Sequence, residues 1–186
     1  GTPLAAKAAS GTVRIPDEDE AADFYQLGLQ ELSGLNYRQY EISNFAHPGA
    51  ECRHNVGYWQ GAFYLGLGVS AHSLLPAAEA EKSAGAYYVR TANVSQTEAY
   101  CRAMEERGSA AEIRQPITRK EAMFEAMMLG LRMNRGVSGT DFGRRFGTSV
   151  RAVYEAPLER AVRNGLGQWT ADGGYRLTEK GLLLEN

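Results

Sequence analysis

The stretch Ala21-Ala22-Asp23-Phe24-Tyr25-Gln26-Leu27-Gly28-Leu29-Gln30-Glu31-Leu32, followed by Tyr37-Arg38-Gln39-Tyr40-Glu41-Ile42-Ser43, decides the fold class. In its first part apolar residues recur at helical spacing. Asp17 with Glu20 three residues on has the form of a capping box, so an amphipathic helix is expected from Asp17 to a stop near Gly34. In its second part tyrosine and isoleucine alternate with polar residues as in a strand, closed by Asn44 through Gly49 with Pro48 breaking the chain. A helix that feeds a strand is the order of an α/β layer.

Downstream, Arg53-His54-Asn55-Val56-Gly57-Tyr58-Trp59 reads as a short polar, aromatic stretch, and Phe63 through Ser73 as a buried strand running into a glycine-bearing loop. Residues 76–94, rich in Ala, Glu and Ser, read as a crossover. Helical signals dominate beyond it. Ser95 with Glu98 is expected to open a helix through Met104, and Thr118 with Glu121 a helix over Arg119–Met133. Further helices are expected over Thr140–Phe146 and Val150–Arg163, the last stopped by Asn164-Gly165. Gln168-Trp169-Thr170 and Tyr175-Arg176-Leu177 flank Ala171-Asp172-Gly173-Gly174, a hairpin signal. Helices followed by a hairpin and a last helix describe a winged-helix-like module.

The 186 residues suffice for one domain or two small ones, and 44% hydrophobic against 23% charged residues is the balance of a globular chain. A formal charge of −2 supplies no global field toward nucleic acid or anionic membranes. No apolar run approaches the roughly 18 residues of a spanning helix, and Gly1-Thr2-Pro3-Leu4 has no signal-peptide anatomy, so a cytoplasmic chain is expected. The first residue is not Met and Leu184-Glu185-Asn186 stops inside an apolar helical pattern, the features expected of a fragment. Cys52 and Cys101 form no Cys-x-x-Cys pair and are expected to be reduced thiols.

Three segments, in this order and spacing, resemble the HemW/HemN family. They are Tyr40-Glu41-Ile42-Ser43-Asn44-Phe45-Ala46 with Pro48-Gly49, then His54-Asn55 with Tyr58-Trp59, then Tyr64-Leu65-Gly66-Leu67-Gly68 with Ala71-His72-Ser73. The His-Asn-x-x-Tyr-Trp segment is the most specific and points to the HemW branch. Gly1-Thr2-Pro3-Leu4, Phe124–Arg132 and Arg176–Gly181 extend the resemblance over nearly the whole chain, while Val69-Ser70 stands where the family commonly has Pro-Gly. The resemblance implies the last strands of an incomplete (β/α) radical S-adenosylmethionine barrel in residues 1–75, the crossover 76–94, and a mainly helical HemN-type C-terminal domain over 95–186. Family members hold a [4Fe–4S] cluster through Cys-x-x-x-Cys-x-x-Cys. Two distant cysteines cannot supply three converging thiolates, so this chain alone is expected neither to hold the cluster nor to cleave S-adenosylmethionine.

What the resemblance implies is a HemW-like protein that binds heme and S-adenosylmethionine and acts in heme trafficking, with heme or porphyrin and a heme-accepting protein as partners. The alternative is an oxygen-independent coproporphyrinogen III oxidase. A rival reading from the residues is a winged-helix DNA-binding protein. Its basic set, Arg144, Arg145, Arg151, Arg160 and Arg163 against Asp141, Glu155 and Glu159, is thin for tracking phosphates, and no nucleic-acid partner is expected.

For heme, the candidates are His54 as axial ligand, Asn55 beside it, Tyr58 and Trp59 stacking on the porphyrin, and Arg53 pairing with a propionate. Read without the family, His54 and Asn55 fit a capped turn and Tyr58 and Trp59 fit core. For S-adenosylmethionine the candidates are Gly66, Gly68, Ala71 and His72, against a tight turn beside a core histidine. Glu41, Ser43 and Asn44 fit the substrate side or hydrogen bonds to the next loop. His47 reads as a solvated loop residue, and Met123, Met127, Met128 and Met133 as pliable core packing. No residue is put forward as catalytic, and none as a ligand to the cluster. An incomplete barrel leaves sheet edges open, so self-association through such an edge is expected.

Overall fold

A computed structural model describes residues 1–184. The chain forms two compact units, the first Gly1–Glu51 and the second from Cys52 onward.

In the first unit, α1 (Pro3–Ala9) starts on Thr2, whose hydroxyl accepts from the Ala5 amide, with Pro3 where a missing N–H does no harm. The second helix, α2 (Glu18–Gly34), begins with the expected capping box. Asp17 accepts from the Glu20 amide at 2.9 Å, and Glu20 accepts from the Asp17 amide at 3.1 Å. Strands β1 (Arg38–Glu41) and β2 (Asn44–Ala46) pair antiparallel, from Arg38↔Ala46 to Glu41↔Asn44. A hydrogen bond from Gln39 to the Tyr25 hydroxyl ties the hairpin to α2. Helix α2 has no fully buried residue, and Phe24 and Leu27 on it are exposed.

The second unit opens with α3 (Arg53–Trp59), a seven-residue helix where the sequence shows only a polar, aromatic stretch. Gly57 and the absence of a side-chain cap at Cys52 hide it from periodicity. Strands β3 (His72–Pro76), β4 (Ala86–Asn93) and β5 (Ala111–Thr118) form an antiparallel sheet in the order β3-β4-β5. Two helices lie between them in sequence, α4 (Glu79–Ser83) and α5 (Thr97–Arg107).

Residues 76–94 therefore contain more than a connection, since they carry the central strand β4, flanked on both sides and centred on Val89, which is fully buried. The expected buried strand at 63–69 contributes only a bridge between Tyr64 and Leu74. Phe63, Leu65, Leu67 and Val69 are exposed, while the alternate residues Tyr64, Gly66 and Gly68 are half-buried. The helix expected to open on Ser95 begins at Thr97 instead, with Gln96 as an unbonded cap. The reason is tertiary: Val94 still bonds Ala110 and receives Ser70, which holds the chain extended past the local signal.

Helix α6 (Arg119–Gly130) starts on the expected Thr118–Glu121 capping box, and α7 (Gly139–Phe146) on Ser138, which accepts from the Asp141 amide. Helix α8 (Val150–Arg163) starts on Ser149 and kinks at Tyr154, because Pro157 lacks an amide and its ring crowds the carbonyl four residues back. Strands β6 (Gly167–Trp169) and β7 (Tyr175–Leu177) make the hairpin read from the sequence, and α9 (Glu179–Leu183) closes the module. Among the described residues every paired strand is antiparallel.

The sheet and the helical module share one core. Leu74, Tyr88 and Ile117 from the sheet pack with Met123, Met127, Val137, Phe142, Phe146, Val150 and Tyr175. Met123, Met127 and Met133 are buried as packing residues, whereas Met128 is 45% exposed. The edge strand β5 is exposed over most of its length and carries Glu112, Arg114 and Pro116, residues that discourage a further strand from pairing there.

Asp172 locks the hairpin onto α7. One of its carboxylate oxygens accepts from the Ser138 hydroxyl at 2.8 Å, the other from Thr170 at 2.6 Å, with the Thr140 and Gly174 amides further out. The Thr170 and Ser138 hydroxyls hold its carboxyl well below the ordinary value of 3.8. Because the folded-state value lies below the unfolded one, its contribution is complete above 3.8 and lost as pH falls through the lower range. Acid unfolding of Asp172→Asn, followed by circular dichroism, is expected to be less steep below pH ~4 than that of the native chain. Identical slopes would remove Asp172 from the acid transition.

Candidate functional site

The geometry around α3 begins from its helical spacing. His54 and Tyr58 sit four residues apart on one face, and their rings meet edge-on at 4.7 Å and 88°. Tyr58 meets Tyr64 in the same manner at 4.7 Å. His54 is exposed and neither of its ring nitrogens has a hydrogen-bond partner among the described residues, so its imidazole is available to a ligand. Arg53 is exposed and makes no ion pair among the described residues. Asn55 is half-buried, and its side chain bonds no described residue.

Trp59 lies on another face of the helix. The Arg132 guanidinium sits over its ring at 5.5 Å, and its buried indole N–H has no acceptor among the described residues. The sequence-predicted heme candidates thus share one helix, but only His54, Tyr58 and, through the chain, Arg53 are open to solvent together.

The end of α3 is fixed by an arginine that sequence reasoning counted only as one of several surface charges. Arg145 on α7 donates to the carbonyls of Gln60 at 3.0 Å and Gly61 at 3.2 Å and to the Tyr88 hydroxyl. Its guanidinium also lies 4.9 Å from the Tyr88 ring and 5.2 Å from that of Phe146. Those two carbonyls have no partner within the helix, and a planar fork answers both. No local pattern announces this role, because the partners lie about 85 residues upstream.

Gly66 to His72 form a loop braced by its own chain. The Gly66 amide donates to Ser73 at 3.0 Å and the Gly68 amide to the Tyr100 hydroxyl at 3.2 Å. Asn93 donates to the carbonyls of Gly66 and Gly68 at 3.3 and 2.9 Å. A side chain at Gly66 would collide with the carbonyl of His72, so that glycine is required by the protein's own packing. At Gly68 the backbone is left-handed, with φ of 101°, and the space beside it is open. His72 is exposed and its Nδ1 lies 3.1 Å from the Ser70 carbonyl. Ala71 is half-buried.

The loop and α3 are neighbours: the Tyr58–Tyr64 contact and the Tyr64–Leu74 bridge join them inside one unit. Burial raises the Tyr64 phenol above its ordinary value, with the Tyr58 phenol adding to the shift, so Tyr64 stays neutral in this ladder.

In the first unit, Glu41 is buried and accepts from the Ser43 amide at 3.1 Å, while Ser43 and Asn44 are exposed at the hairpin turn. His47 is exposed, with its Nδ1 3.1 Å from the Asn36 carbonyl and its ring against Tyr37.

Among the described residues no group of three or more His, Cys, Asp or Glu could hold a metal, and Cys52 and Cys101 are both exposed and unpaired. The residues present do not fit an iron–sulfur cluster. They do fit heme as a ligand, which needs one accessible imidazole and flat side chains. The arginines of the winged-helix-like module are partly committed. Arg151 pairs with Glu155 and Glu159 and covers Trp169 at 4.1 Å, Arg144 pairs with Asp141, and Arg145 holds α3. No helix among the described residues is long and apolar enough to cross a membrane.

Residues 117–184 match the family model described as the HemN C-terminal domain. The chain is 31% identical over 176 residues to a Bacillus subtilis protein named heme chaperone HemW, covering 95% of this chain and 43% of that one. A Lactococcus lactis protein of the same name is 30% identical over the same length. A mouse protein named radical S-adenosyl methionine domain-containing protein 1, mitochondrial, is 50% identical over 72 residues, 39% of this chain and 16% of that one. Among solved structures, the Escherichia coli coproporphyrinogen III oxidase HemN superposes with a TM-score of 0.62 at 18% identity, covering 91% of this chain and 40% of that one; at this identity the likeness is one of fold. The chain spans less than half the length of these relatives.

Proposed function

The chain belongs to the HemW/HemN family, matching the C-terminal portion of its relatives, and from that premise we propose that it is the heme-handling part of a HemW-like protein. The observation that carries this reading is the exposed imidazole of His54, free of partners among the described residues and set edge-on against Tyr58 at the head of an aromatic ladder. A neutral imidazole is a good axial ligand for heme iron, and the adjoining rings offer apolar surface to the porphyrin. Arg53, one residue before His54, is the propionate partner, and Asn55 and Tyr58 complete the heme motif on that face, while Trp59, grouped with them in the sequence, lies on another face of the helix. Heme supplies the iron that His54 ligates; the chain supplies orientation, with Arg145 fixing the end of α3.

In this reading residues 1–75 belong to a radical S-adenosylmethionine barrel, 76–94 lead on from it and carry the central strand β4, and 95–186 are the HemN-type domain. The exposed row Phe63, Leu65, Leu67 and Val69 supports that assignment, since it is apolar surface that further barrel strands would cover. S-adenosylmethionine is assigned to the loop of Gly66, Gly68, Ala71 and His72, with the open space at Gly68 as its support. Glu41, Ser43 and Asn44 are assigned to the substrate side. The family's cluster would be held outside this chain, and no step is routed through it. The destination of the heme is a heme-accepting protein, the compartment is the cytoplasm, and self-association would run through a sheet edge other than the polar, proline-bearing β5. The relatives' names favour the chaperone over the oxidase reading.

Hemin titration of the purified protein, followed at the Soret band, tests the reading. His54→Ala is expected to weaken binding at least tenfold, roughly 1.4 kcal/mol or more. An unchanged isotherm would remove His54 from the account.

A further inference from the structure

On the Trp59 side of α3 lies a cavity of about 850 Å³, within the second unit. That volume falls in the range of small-molecule sites, roughly 300–1,000 Å³. Its lining includes Trp59, Phe63, Tyr88 and Phe142, from α3, the segment after it, the central strand and α7; Tyr88 and Phe142 are buried behind it, and Phe63 is open. Phe63 is 48% exposed and stands edge-on to Tyr88 at 5.1 Å. His54 does not line this space.

The polar groups in the wall are unequal. Asp172 is saturated by two hydroxyls and two amides, and Asp141 is paired with Arg144 at 2.7 Å. Arg135 is exposed and has neither an ion pair nor a hydrogen bond among the described residues. The charge left unanswered is a guanidinium, whose planar fork suits a carboxylate. The open Phe63 and half-buried Trp59 side chains beside one free guanidinium suit a flat, apolar ligand that carries an acid.

We propose that this cavity binds the ring of a tetrapyrrole through its face and one propionate, without engaging the metal. The inference rests on the heme-handling reading and adds a second station to it. His54 ligates iron on one side of α3, and the cavity holds the macrocycle on the other. Ligation reads the metal, whereas the cavity reads the ring and its acid, so the two stations separate with a probe that lacks iron.

The test is a fluorescence titration of the purified protein with metal-free protoporphyrin IX, beside a hemin titration. Two variants probe the cavity: Ala62→Trp, at an exposed position in its wall, and Arg135→Glu. The native protein is expected to bind the metal-free ring saturably, and each variant to raise Kd at least tenfold with its melting temperature unchanged. Should Ala62→Trp unfold the protein, Arg135→Glu alone decides, because a charge reversal at a solvent-exposed side chain leaves the core intact. Native-like binding by a folded Arg135→Glu, or no saturable binding of the metal-free ring by the native protein, overturns the proposal. If hemin still binds through His54 in that last case, the cavity fails while the heme reading stands. If the metal-free ring binds and hemin binding ignores His54, the heme-ligand assignment fails instead.

Discussion

Tyr175→Ala is expected to destabilise the second unit by about 3–5 kcal/mol, the range for removing a large aromatic from a packed core. Tyr175 is fully buried and is the largest such side chain in the protein's described part. Its ring stands edge-on to Trp169 at 5.2 Å, and its hydroxyl donates to the Leu158 carbonyl at 3.2 Å. Its backbone also exchanges two hydrogen bonds with Val137, at 2.8 and 3.0 Å, where the hairpin meets the chain between α6 and α7. One residue therefore joins the hairpin, α8 and the shared core. Tyr175→Phe keeps the ring and loses only the hydroxyl bond, an effect of about 1 kcal/mol. Urea unfolding of the two variants checks both values. Equal midpoints would mean that the ring is not what holds the module together.

Gly66→Val is expected to cost about 3 kcal/mol or more, the upper part of the range for overpacking, because the bulk it adds cannot move away from backbone. The position is pinned: the Gly66 amide bonds Ser73, its carbonyl receives Asn93, and a side chain would overlap the His72 carbonyl. The loop that would relax to admit it is the one assigned to S-adenosylmethionine, so the same substitution is expected to raise amide exchange over 66–73. A melting curve and hydrogen-exchange profile equal to the native ones would show that the loop is not braced in this way.

What could be read from the sequence was whatever local chemistry decides. Asp17 with Glu20 and Thr118 with Glu121 marked true helix starts, because each box satisfies its own amides without distant help. The glycine-rich turn between Trp169 and Tyr175 marked the hairpin for the same reason. Ser95 with Glu98 has the same form, yet the cap falls one residue later, on Gln96, since pairing to Ala110 and Ser70 outweighs one cap. The sheet was hidden. Its central strand is buried on both sides, which erases alternation, and its edge strand β5 is polar and carries a proline.

At the candidate site, the resemblance singled out His54 and Tyr58, and the geometry places them in contact. It also separates Trp59 onto the cavity side, which spacing on an unrecognised helix could not reveal. Arg145 was beyond any local reading, because its importance lies in carbonyls about 85 residues away. The same distance effect hid the Arg90–Glu125 pair, a two-pronged contact at 2.9 Å between β4 and α6 whose charges both act on the Tyr64 phenol.

The central claim is that His54 presents its imidazole to iron. Its sharpest measurement is the electronic absorption spectrum of hemin bound to His54→Gly, recorded before and after adding imidazole. The account predicts that the histidine-ligated spectrum of the native protein is lost in the variant and returns as free imidazole fills the vacated position. A variant whose spectrum equals the native one without imidazole would contradict it.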